Sequence, residues 1–159
     1  MRNAKIAIGL GTLTLVLLGD LASKHAIQSH FQLGETLPLI PGFALTYARN
    51  SGAAFSMLAS WDPSLRLPLF YAVTLLALGA LVFYFRSLSE KDFLSAFALG
   101  LVAGGALGNF SDRVRYGEVV DFIEVGVRSV YTWPIFNVAD SAVCVGVGFL
   151  IWRSFSPVK

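Results

Sequence analysis

The charged residues of this 159-residue chain are gathered between long apolar runs, and that spacing limits the fold more than any motif does. Four stretches stand out, at about 6–24, 65–85, 93–110 and 134–152. The first is apolar from Ile6 to Leu18 and then meets Asp20; the second lies between Arg66 and Arg86. The third has no charge, and the fourth carries one acid, Asp140. A helix crosses about 30 Å of hydrocarbon with about 20 mostly apolar residues at about 1.5 Å each. All four stretches reach or approach that length. Composition agrees: 55% of residues are hydrophobic and 14% charged, against about 25% charged in a soluble domain. Mean hydropathy is +0.67. Disorder is excluded, because it needs low hydrophobicity and high charge. One cysteine, Cys144, rules out a disulfide scaffold. A net charge of +2 without a basic run argues against nucleic acid as a partner. The expectation is a single membrane domain over 1–159.

Arg2 and Lys5 before a short apolar core also fit a cleavable signal peptide. No clear small-x-small site follows, and three more apolar stretches do, so a retained first helix is the preferred reading. Pro134 fits a first-turn position of the fourth. With both termini inside, Arg2, Lys5, Arg86, Lys91, Arg153 and Lys159 are inner, and Lys24, Arg49, Arg66, Arg113, Arg115 and Arg128 are outer. The inner segments are shorter, so their positive charge is denser, and short loops dominate orientation. The connections 25–64 and 111–133 then face outward. In the first, Phe43, Leu45 and Tyr47 alternate as on one face of a strand; Glu118 to Val125 also reads as extended. Trp61, Tyr116, Tyr131 and Trp133 suit an interfacial aromatic belt, and Phe43, Leu45, Tyr47, Met57, Leu58 and Trp61 suit an interfacial loop that closes over the substrate or an inert anchor. Gly100, Gly104 and Gly108 give small-xxx-small spacing for close helix packing. Cys144 reads as a small apolar side chain.

Polar groups converge on one depth. Asp140 falls about 9 Å below the outer end of the fourth stretch, with Asn137 one turn above it. Asn109, Asp112 and Arg113 end the third stretch; Asp20 and Lys24, at i and i+4, end the first. Asn50 and Asp121 come from the outer connections, so every outward segment but the second helix contributes. Charge in the bilayer is costly enough to be functional by default. Asp20 can pair with Lys24, and Asp112 with Arg113 or Arg115, as structural charges. Asp140 has no base within a helical turn, so it holds a proton or shares one with another carboxyl. Asp121, whose loop returns to the fourth helix, is best placed to share it. Two carboxyls with one proton supply an acid and a base, enough to activate water against a peptide carbonyl. His25 and His30 lack zinc-site spacing, and no nucleophile elbow or phosphate-binding glycine loop is present.

At these residues the sequence resembles the lipoprotein signal peptidases (signal peptidase II), bacterial aspartyl membrane proteases. The matching stretches are Asp20-Leu21-Ala22-Ser23-Lys24, Asn50-Ser51-Gly52-Ala53-Ala54-Phe55, the run from Gly104 to Arg113, Val119-Val120-Asp121-Phe122, and the run from Phe136 to Ser141. Leu21 stands where the family often has Gln. The resemblance implies Asp121 and Asp140 as the catalytic pair. It implies support or substrate binding by Asn50, Gly52, Asn109, Asp112, Arg113, Asn137 and Ala139, with Asp20 and Lys24 fixing the first helix. It further implies a diacylglyceryl-modified prolipoprotein, cut just before its lipidated cysteine, and a small sheet on the outer membrane surface.

The expected fold is an all-α membrane protein: a four-transmembrane-helix bundle with a small extracytoplasmic β-sheet and loop subdomain. It is expected in the bacterial plasma membrane, as a monomer without metal or cofactor, in contact with membrane lipid and lipidated precursors. A proton-coupled transporter would need polar residues through both leaflets, and the inner half is nearly bare. A non-enzymatic scaffold would not need the Asn/Arg/Asp cluster.

Overall fold

The computed structural model describes residues 2–53, 57–127 and 131–155. Of the residues named above, Ala54, Phe55, Arg128 and Lys159 lie outside these, as do the side chains of Arg2 and Tyr131. The chain runs α1 (Arg2–His30), β1 (Thr36–Ile40), β2 (Phe43–Asn50), α2 (Pro63–Ser87), α3 (Phe93–Tyr116), β3 (Val119–Val127), β4 (Tyr131–Thr132) and α4 (Val138–Ser154).

Local chemistry sets the helix ends. Asp62 caps α2 by accepting from Ser64 N, with Pro63 in the first turn, where no N–H is needed. Asp92 caps α3 through Ser95 N at 3.2 Å, and Gly117 closes it at φ 74°. Asn137 and Asp140 form a reciprocal capping box at the start of α4. That box corrects the fourth stretch. Pro134 lies before the helix rather than in its first turn, because Phe136 is drawn into an antiparallel bridge with Ile123. Asp140 is accordingly the third helical residue, in the first turn, and not six residues down. The first and third helices outlast their apolar stretches, reaching His30 and Tyr116, so Tyr116 is helical and not in a loop.

Three segments, Ala4–His30, Pro63–Ser87 and Phe93–Tyr116, are long and apolar enough to cross a membrane; α4 has 17 residues. α3 is the centre of the bundle, packing broadly on α1 and α4 and more narrowly on α2. Its small residues permit the approach. A Cβ at Gly104 would stand 2.8 Å from Leu13 O of α1, and one at Gly105 would collide with Ala139 O of α4. The outward apolar side chains of α2, among them Leu69, Val73, Leu76 and Phe83, are exposed, as suits a face turned to lipid.

The strands form one antiparallel sheet in the order β1-β2-β3-β4. Ile27 of α1, Tyr47, Val120 and Phe122 make its buried contact with the helices, with Leu45 packed alongside. The alternation through Phe43, Leu45 and Tyr47 is interrupted by a register shift between Leu45 and Ala48, which sets Ala48 opposite Asp121. Val120 and Phe122 point into the core and Asp121 to the other face.

Candidate active site

Two asparagines join the two acids. Asn137 Oδ1 accepts from Asp140 N at 2.8 Å, and Asn137 N donates to Asp140 Oδ2 at 3.3 Å. The Asn137 amide nitrogen lies 2.7 Å from Asp121 Oδ1, 3.1 Å from Asn109 Oδ1 and 3.2 Å from Val120 O. Asn109 Nδ2 donates to Asp140 Oδ1 at 2.8 Å. The orientation of Asn109 follows from its other neighbour. Lys24 Nζ, which can only donate, is 3.0 Å from Asn109 Oδ1, so the amide N–H groups must face Asp140.

Beneath this pair lies a buried ion cluster. Lys24 Nζ is 2.7 Å from Asp20 Oδ2 and 3.0 Å from Asp112 Oδ2, and all three residues are at most 3% exposed. Asp112 therefore pairs with Lys24 across the α1–α3 contact, not with Arg113 or Arg115 as spacing along its own helix suggested. Each buried acid also accepts a backbone N–H. Asp112 Oδ2 takes Val120 N at 3.1 Å, and Asp20 Oδ1 takes Ala139 N at 2.9 Å. Those donors immediately precede Asp121 and Asp140. One ion cluster thus clamps the backbone on which both acids stand, and Gly108 makes room for it, since a Cβ there would strike Asp20 Oδ2.

Arg113 faces the remaining side. Its Nη2 donates to Gly52 O at 3.0 Å, its guanidinium lies 4.8 Å from the Phe70 ring centre, and Tyr71 Oη donates to Arg113 O at 3.0 Å. Asn50 Oδ1 accepts from Gly52 N at 2.9 Å, its Nδ2 lies 3.5 Å from Ala53 O, and its side chain favours the ionised form of Asp121. Asn50, Asn109, Arg113, Asp121 and Asp140 line one cavity of about 700 Å³, together with Trp133, Ile135, Phe136, Val143 and Cys144. Asp121 is 3% exposed. Burial first, and the nearby Asp140 second, raise its carboxyl to about 7, against the lowering effect of Asn50, Asn137 and Lys24. It can therefore hold a proton near neutral pH while a second carboxyl shares the cavity.

Every site residue expected from the sequence lies in this constellation. Asn137 does so as a helix cap and Ala139 through its backbone N–H. Missed were Phe70 and Tyr71 of α2, the one helix expected to contribute nothing. Their signal was an aromatic pair one turn after Arg66, which spacing alone does not distinguish from a lipid-facing pair. Among the described residues, no three His, Cys, Asp or Glu side chains converge as metal ligands would.

The family described as Signal peptidase (SPase) II matches residues 12–156. The chain belongs to the signal peptidase II family. Relatives named lipoprotein signal peptidase include one from Geobacter sulfurreducens, 50% identical over 91% of this chain and 86% of its own. Another, from Photorhabdus laumondii, is 43% identical over 92% and 86%. A solved bacterial membrane enzyme, determined in meso at 2.3 Å, superposes with a TM-score of 0.85 at 32% identity, covering 97% of this chain and 96% of its own. As a signal peptidase II this protein is a peptide hydrolase, and its apolar helices make it a multi-pass membrane protein.

Proposed function

We propose that this signal peptidase II removes the signal peptide from lipoprotein precursors by aspartic catalysis, with Asp121 and Asp140 as the catalytic pair. The carrying observation is that both carboxyls enter one cavity, joined through Asn137 and Asn109, with the Asp121 carboxyl raised to about 7. Asp121 holds the proton. Asp140, fixed by the Asn109 amide and Asn137 N, takes a proton from water as the water oxygen bonds to the scissile carbonyl carbon. Asp121 gives its proton to the carbonyl oxygen. Collapse of the tetrahedral intermediate breaks the C–N bond, the amine leaves with the proton held by Asp140, and Asp121 recovers its own. Arg113 and Asn50 hold the Gly52 segment beside this centre.

The substrate in this reading carries a diacylglyceryl group on its lipobox cysteine and is cut just before that residue. The apolar wall from Trp133 to Cys144 offers a surface for the thioether and acyl chains. α4 is the fourth span, both termini are cytoplasmic, and the sheet lies on the outer face of the plasma membrane, where a secreted precursor presents its cleavage site. The protein acts as a monomer on this membrane.

The test is processing of a lipidated precursor by the purified protein in detergent. Asp121→Asn and Asp140→Asn should each lower the rate by about a thousandfold or more, since a carboxamide exchanges no proton. Chelators should change nothing, and unlipidated precursor should be cut poorly. Full activity in either Asn variant defeats the pair.

A further inference from the structure

Arg66 is a cation in the first turn of a membrane-length helix, 5% exposed, with no carboxylate within ion-pair distance among the described residues. Burying a guanidinium without an acid is costly, and an apolar residue would suit this position better. What Arg66 holds is backbone. Its Nη1 donates to Ala59 O at 2.8 Å and lies 3.5 Å from Trp61 O, the last carbonyls of the turn that precedes α2. That turn needs holding, since Leu58 stands at φ 63°, a left-handed conformation seldom adopted by a branched apolar residue.

The turn leads to the catalytic pair through short contacts. Met57 O accepts from Ala53 N at 2.7 Å, and Ala53 lines the cavity. Next to it, Gly52 O is held by Arg113 at 3.0 Å, and Gly52 N bonds Asn50 Oδ1 at 2.9 Å. Asn50 and Asp121 line the same cavity. Gly52 and the 57–61 turn are thus each held by a guanidinium group on backbone carbonyls, Gly52 by Arg113 and the turn by Arg66.

We propose that Arg66 is a positioning residue for the peptidase reaction: by fixing the 57–61 turn it sets where Asn50 and Gly52 stand beside Asp121. The proposal rests on the assignment of Asp121 and Asp140 as the catalytic pair. Arg66 touches neither substrate nor reacting atoms and acts through the turn.

The experiment compares Arg66→Ala, Arg66→Lys, Asn50→Ala and the Arg66→Ala/Asn50→Ala double variant, purified in detergent, on a lipidated precursor. Arg66→Ala should lower kcat about tenfold with KM and the unfolding midpoint little changed. Arg66→Lys, which keeps one donor for Ala59 O, should recover a large part of the loss. The double variant should be no slower than Asn50→Ala alone, because both act along one route. Wild-type kcat in Arg66→Ala, or multiplying losses in the double variant, overturns the proposal. So does a loss that tracks a lowered unfolding midpoint and is not recovered by lysine, which marks Arg66 as structural. Asp121→Asn, run alongside, separates the two readings: activity there removes the catalytic pair, whereas an inert Arg66 beside an inactive Asp121→Asn removes only the latch.

Discussion

The two ends of the helical bundle both carry buried charge, and they use it differently. At the end holding the α2–α3 turn, Lys5 and Arg153 each meet an acid. Lys5 Nζ lies 3.5 Å from Glu90 and donates to Leu88 O at 2.9 Å; Arg153 Nε is 3.3 Å from Asp92, the cap of α3. These contacts tie chain segments together and leave no acid in excess. At the end beneath the sheet, Asp20, Asp112, Asp121 and Asp140 gather around Lys24 and Arg113, so acids outnumber bases. Lys24 satisfies Asp20 and Asp112, and amides are left to hold the other two. An amide donates a hydrogen bond but cancels no charge, so the excess is relieved by a retained proton. Matched charge ties the scaffold together; surplus charge raises the Asp121 carboxyl, and the proposed mechanism draws its proton from there.

Removing the base should break the crowded end most severely. Lys24→Met leaves Asp20 and Asp112 buried without a cation and should cost about 3–5 kcal/mol of stability. Thermal unfolding in detergent measures it, and a small shift would mean that the cluster is not what holds Val120 and Ala139. Gly105→Ala drives a methyl into the Ala139 carbonyl at the entry to α4 and should cost about 1–3 kcal/mol. Its processing rate should fall as well, because the Asp140 backbone moves with Ala139; an unaffected rate would separate helix packing from the site.

The proton sharpens the comparison further. The Asp121 carboxyl is raised from 3.8 to about 7, so the folded protein binds this proton more tightly than the unfolded chain. The stability it contributes is whole below about pH 4 and is lost as pH rises through about 7. Activity that needs the shared proton should fall in the same direction, about tenfold per pH unit above 7. A rate still climbing at pH 8 would show that the ionised pair is the active form. At the other end, Glu90→Gln removes a partly exposed partner of Lys5 and should shift stability by only about 0–1 kcal/mol, with unchanged kcat. A large effect there would erase the distinction between the two ends.

Much of this was legible in the residues alone. Apolar run lengths placed the chain in a membrane, because hydrocarbon thickness leaves few ways to satisfy a backbone. The i,i+4 spacing of Asp20 and Lys24 set their pairing, since both lie on one helix whose geometry is local. The alternation in 43–47 and the extended run 118–125 marked strands, and five ordered boxes pointed to the family, four of them holding residues that line the cavity. Partners across elements were not legible. Asp112 turned from its helical neighbours Arg113 and Arg115 to Lys24, because glycines let α1 and α3 approach until the ammonium reached both acids. The start of α4 moved from Pro134 to Val138, because Phe136 found strand partners on Ile123. Arg66, Phe70 and Tyr71 gained roles only when α2 came beside α3 and the 57–61 turn. Sequence spacing sets what a residue meets on its own helix or strand; what it meets on another depends on how closely the backbones pack, and that distance exists only in the folded chain.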